Sequence, residues 1–97
     1  MARYVTLYQF TDQGIRSVKD SPGRLKAAIK KAEGTGMKML AAYYTEGPYD
    51  LVVISEASDE KVATAFAVAT AAQGNVRSTT MRAHTADEFE AILKMMP

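Results

Sequence analysis

The run Leu51-Val52-Val53-Ile54 limits what this chain can fold into more than any other feature. Successive side chains of a strand point to opposite faces, so four branched apolar residues in a row need cover on both sides. The run therefore predicts a central strand over residues 49–56. A second strand pattern precedes it over residues 37–45, and only the Glu46-Gly47-Pro48 turn separates the two. So short a link permits an antiparallel hairpin and no crossover.

The remaining elements follow from periodicity and caps. Residues 3–10 alternate as a strand, with Tyr4, Thr6, Tyr8 and Phe10 on one face and Val5, Leu7 and Gln9 on the other. Asp12-Gln13-Gly14 breaks the pattern, and residues 14–20 read as loop or a first helical turn. Ser21-Pro22 signals a helix start, with Ser21 as a capping hydroxyl. Leu25, Ala28, Ile29 and Ala32 follow at helical spacing, and Gly34-Thr35-Gly36 ends the helix. Ser58-Asp59-Glu60 opens a second helix with Val62, Ala65, Phe66 and Ala69 on its inner stripe, and Gly74 closes it. Residues 75–83 form a fourth strand. Thr85-Ala86-Asp87-Glu88 is a capping box that starts a terminal helix bearing Phe89, Ile92, Leu93 and Met96. The order is β-α-β-β-α-β plus a helix. That is an α+β, ferredoxin-like sandwich, and its length suits one domain over residues 1–97.

Two helices can cover one face of a four-stranded sheet. With Val5 and Leu7 turned toward the helices, the tyrosines of the first strand would lie on the open face. Such a face marks an interaction site, and about 800 Å² per partner makes a standard interface. The expectation is a homo-oligomer of sheets packed face to face, with the terminal helix over part of that face or an edge, and a cavity between sheet and helices.

Twelve basic residues balance eleven acidic ones, for a net charge of +1. This balance argues against a nucleic-acid partner. Lys26, Lys30 and Lys31 read as a solvated helix face. Cysteine is absent, so the chain has no disulfide framework, thiolate metal site or cysteine nucleophile. No membrane span or signal segment is evident, and a cytoplasmic location is expected.

The residues that could carry chemistry are few. His84, the one histidine, could act as a base or as a single axial ligand, although a strand-end histidine bonded to backbone is commoner. Asp50, after the Gly-Pro turn, could orient a substrate or accept backbone N–H bonds. Arg3, Arg77 and Arg82 could hold an anion or form surface ion pairs. Tyr4, Tyr8, Tyr43 and Tyr44 could line a pocket or an interface. Gly34-Thr35-Gly36 follows a helix and is not a phosphate-binding loop.

Four segments taken together resemble the GYD domain family of small bacterial and archaeal proteins. They are Thr11-Asp12-Gln13-Gly14-Ile15, Lys19-Asp20-Ser21 with Arg24, Gly47-Pro48-Tyr49-Asp50, and Gly74-Asn75-Val76-Arg77 running into Thr79-Thr80. The resemblance spans nearly the whole chain and implies a relative of the dimeric α/β-barrel group. It makes Gly14, Lys19, Arg24, Tyr49, Asp50 and Arg77 candidate ligand-binding residues, beside His84. It implies no cofactor and no metal. Three functions follow as expectations. The first is a homo-oligomer that binds a small molecule between sheet and helices. The second is a cofactor-free oxygenase or isomerase acting on an aromatic or polyketide-like substrate. The third is a structural or interaction domain.

Overall fold

A computed structural model describes residues 1–97. The chain runs β1 (Ala2–Phe10), α1 (Asp12–Arg16), a 3-10 turn (Val18–Asp20), α2 (Ser21–Ala32), β2 (Met37–Tyr44), β3 (Leu51–Ala57), α3 (Glu60–Ala72), β4 (Val76–Ala83) and α4 (Ala86–Leu93). The four strands form one antiparallel sheet in the order β2-β3-β1-β4. This is a ferredoxin-like α+β fold, with the apolar β3 run in an interior position as its two-sided pattern requires. The β2–β3 hairpin carries a register shift between Met39 and Ala41 that leaves Leu40 as a bulge.

The helices cover the face opposite to the one expected. Tyr4, Thr6 and Tyr8 of β1 are buried, as are their β3 neighbours Ser55, Val53 and Leu51. Val5, Leu7, Val52 and Ile54 are half-buried and point the other way. The physical reason lies in side-chain reach. α2 and α3 contact the sheet more than each other, so part of the inner face lies between them rather than directly under a helix. The larger tyrosine side chain covers more of such a surface than valine or leucine. A tyrosine can also bury its ring and keep its hydroxyl polar.

Several local details depart from expectation. Residues 14–20 are neither loop nor a single turn, because α1 and the 3-10 turn occupy them. Ser21 does not cap α2. It lies inside the helix, buried, with its Oγ 2.8 Å from the Tyr44 hydroxyl. Asp59 caps α3 by accepting from the Lys61 N–H. α4 covers neither sheet face nor edge, since every one of its residues is exposed.

The loops at the Phe10 end of the sheet are tied by a dense set of bonds. The Asp50 carboxylate accepts from the Phe10 N–H at 2.8 Å, and the Asp50 N–H donates to the Tyr8 carbonyl at 2.8 Å. The Thr11 N–H donates to the Asn75 carbonyl at 3.1 Å, while its hydroxyl donates to the Gly74 carbonyl. The Gln13 side-chain amide donates to the Gln73 carbonyl at 2.9 Å and to Asn75 Oδ1 at 3.0 Å. Gly14 is buried here, and a Cβ at this position would collide with the Asn75 carbonyl.

Two outcomes follow. Gly14→Ala should lower stability by about 1–3 kcal/mol or more, as overpacking against fixed backbone does. Gly23→Ala, on α2 with nothing near its added methyl, should raise stability by about 0.5–1 kcal/mol. Paired thermal melts check both, and equal Tm values for the two variants would contradict this packing. Thr85→Ala should fray α4, because Thr85 accepts from the Glu88 N–H and the Glu88 carboxylate accepts from the Thr85 N–H. Those bonds hold the Glu88 carboxyl below its usual range. A depressed carboxylate stabilises above its unfolded pKa and loses that effect as pH falls through the folded value. Amide chemical shifts of α4 should therefore move toward coil on acidification in the wild type, and far less in Thr85→Ala.

Candidate ligand-binding cleft

The inner face of β1 and β3, roofed by two helices that stay apart, leaves a cleft of about 560 Å³. Tyr8, Leu51, Val53, Met39 and Val76 form its floor. Ala28 on α2, with Ala65 and Ala69 on α3, is why it stays open: methyl side chains on both walls do not reach across. Leu25, Val62 and Phe66 complete an apolar lining. The volume falls within the range of small-molecule sites.

Polar groups punctuate this lining, and several are already engaged. Ser21 is bonded to Tyr44. The Thr70 hydroxyl donates to the Phe66 carbonyl at 2.9 Å, and the Thr35 hydroxyl donates to the Ala32 carbonyl at 2.7 Å. Arg24 spends one nitrogen on Ser17, donating to its carbonyl at 3.2 Å and its hydroxyl at 3.4 Å. The other Arg24 nitrogen donors, the Lys31 ammonium, the Gln73 side-chain amide and the Tyr8 hydroxyl have no partner in the chain. Tyr8 is only 9% exposed. Burial pushes its phenol pKa up, which keeps the hydroxyl a neutral donor.

Arg24, Tyr8 and Gln73 share one end of the cleft. Arg24 reaches back to Ser17 in the link from β1 to α2. Tyr8 lies two residues before the end of β1. Gln73 caps the C-terminal end of α3, just before Val76, which pairs with Phe10. Lys31 sits seven residues beyond Arg24 on the same side of α2, about 10 Å along the helix axis. The two cations are the only charged residues of the lining.

Of the seven candidate ligand-binding residues, Arg24 alone lines the cleft; of the four tyrosines expected to line a pocket or an interface, Tyr8 does. Gly14 and Asp50 hold the loops at the Phe10 end. Tyr49 is half-buried beside them, and its carbonyl accepts from the Thr45 hydroxyl at 2.6 Å. Lys19 is exposed on the 3-10 turn. Arg77 is exposed on β4 opposite Gln9, on the outer face. His84 is exposed between β4 and α4. These seven positions do not converge on one place. Arg82 stacks over the Tyr4 ring at 5.8 Å, and Arg3 pairs with Glu56 at 2.8 Å.

Tyr8 was among the tyrosines expected to line a pocket or an interface, but on the open face of the sheet rather than beneath the helices; Lys31 and Gln73 were not anticipated. For Lys31 a signal existed: Arg24, Ala28 and Lys31 share one helical side at i, i+4 and i+7, bordering the apolar stripe. Gln73 carried none.

Comparison with known proteins agrees with the likeness drawn from the four segments. The GYD domain model matches residues 4–93. A curated relative from Thermus thermophilus is 30% identical over 95 residues, which is 97% of this chain and 100% of the relative. It is named glutamine synthetase and cystathionine beta-lyase binding protein. With the match running across the whole of the fold just described, this chain belongs to the GYD domain family.

Proposed function

We propose that this chain is a non-catalytic binding protein that works as a homo-oligomer and takes a small molecule in the cleft between sheet and helices. The observation that carries the reading is the two-sidedness of the sheet. Its inner side bears the apolar cleft. Its outer side bears Val5, Leu7, Val52, Ile54 and Met81, with α4 lying over neither. Only eleven of 97 residues are buried in the single copy. A core that thin gains from any cover, and burial contributes about 25 cal/mol per Å² of apolar area before the cost of association. A second copy supplies a matching apolar face, and Phe89, Ile92 and Leu93 of α4 are further exposed apolar residues that assembly could cover.

The relative's name favours a second reading, in which the assembled protein binds a metabolic enzyme. The two readings are compatible, because oligomerisation through the sheet leaves helix surfaces for another partner. The cofactor-free enzyme reading ranks behind both. It wanted Asp50, His84 or an arginine in the pocket, and only Arg24 is there.

Sedimentation velocity tests the first reading. The wild type should run as a dimer or larger at micromolar concentration, while Val52→Asp with Met81→Asp should run as a folded single copy. A wild type that stays a single copy at high concentration would overturn the assembly. For the second reading, immobilised protein is exposed to purified glutamine synthetase and cystathionine beta-lyase. Saturable capture of either supports it, and no capture of both removes it.

A further inference from the structure

We infer that the ligand of the cleft is an anionic amphiphile, an apolar body ending in one carboxylate that sits between Arg24, Tyr8 and Gln73. The inference rests on the cleft being a small-molecule site and adds the class of molecule.

Three features of the lining select that class. First, its charge has one sign: Arg24 and Lys31 face it and no acidic residue does. Neither cation has a carboxylate partner, since the chain's one ion pair is Arg3–Glu56. A cationic ligand would meet two like charges. A neutral one would desolvate them without compensation. Second, the unused donors gather at one end. Arg24 is half-buried and keeps free guanidinium nitrogens, and Tyr8, a residue only 9% exposed, brings to the same end a hydroxyl with no partner in the chain. The Gln73 amide adds a third donor near the α3 terminus. A planar carboxylate accepts from a guanidinium fork and has further lone pairs for a phenol and an amide. Third, the remainder of the cleft is mostly apolar out to Val62, with Leu25, Val53 and Phe66 between, and the hydroxyls of Ser21, Thr35 and Thr70 in its lining are already bonded within the chain. It offers a hydrocarbon or aromatic body few free polar groups and much to cover. Lys31, two helical turns away, lies at the far end, where it adds attraction at the mouth and no second seat for the same head group.

The test uses three probes that share one ten-carbon body: decanoate, decanol and decylamine, each titrated into the full chain by calorimetry. Decanoate should bind at least about tenfold more tightly than decanol, the worth of one charge-assisted hydrogen bond. Decylamine should bind weakest. Arg24→Gln should erase the preference for decanoate and leave decanol affinity unchanged, while Arg24→Lys should restore part of it. Tyr8→Phe should reduce it in the same direction. Arg77→Gln, on the outer face, should change nothing. Ala28→Phe, which fills the cleft, should block all three probes, with circular dichroism melts confirming that each variant is folded. Equal binding of decanoate and decanol by the wild type would sink the anion assignment and leave the cleft as a site. Loss of the preference in Lys31→Gln but not in Arg24→Gln would overturn the seat at Arg24. Binding that survives Ala28→Phe, or no binding of any probe, would remove the cleft reading together with this inference.

Discussion

Everything in this molecule depends on how a four-stranded sheet with apolar side chains on both faces is shielded by two helices that do not meet. Each helix lies over the inner face and contacts its own strands, α2 against β2 and α3 against β3 and β4. Neither closes on the other. The gap is kept by alanines at 28, 65 and 69, and Tyr8 lies at its floor. Larger side chains on the helix walls would have produced an ordinary packed core. The small ones produce a cleft, with Tyr8 in its lining, while Tyr4 packs against Ala57 and Ala63. Tyr4 and Ser55 carry buried hydroxyls that find no protein partner. An inner face with so many hydroxyls is an uncommon choice for a layer that only packs, because each unpaired buried polar group costs free energy.

Element order was legible in the sequence, because it rests on strong local signals. The β3 run, the β2–β3 turn, the Pro22 helix start, the positive-φ Gly74 and the Thr85–Glu88 box each have a mechanism that tertiary context rarely overrides. The facing of β1 was not legible. Alternation says which residues share a side and is silent on which side is inward. Both rows of β1 are acceptable as core, and the more conventional one, Val5 and Leu7, is outward. What decides it is how α2 and α3 sit over the sheet, a tertiary property that no local window contains. The same gap explains why Tyr8 was assigned to the wrong face and Gln73 was missed as a cleft residue.

The family signature was read correctly as a signature, yet most of it serves the backbone. Gly14 is required where α1 presses on the Asn75 carbonyl, and Asp50 ties the start of β3 to the end of β1. Thr11, Gln13, Gly74 and Asn75 complete that knot. These residues fix the Phe10 end of the sheet, the end at which Arg24, Tyr8 and Gln73 come together. Their contribution to a binding site is therefore indirect. They tie β1 to the loops that precede α2 and follow α3, and the placing of the cleft's lining depends on that register.

β1 and β3 serve two surfaces through alternate residues. Tyr8 and Leu51 turn inward, and Leu7 and Val52 turn outward from the same pair of strands. A change of backbone position on one side is felt on the other, since the layer between them is one strand thick. Strand substitutions such as Val52→Asp therefore test association but do not by themselves separate it from ligand binding. The helix positions separate the two better. Arg24, Ala28 and Lys31 touch only the cleft side, whereas Phe89, Ile92 and Leu93 stand clear of it on α4. The proposed cleft and the exposed apolar residues of α4 thus fall on different helices, although a single sheet carries both surfaces.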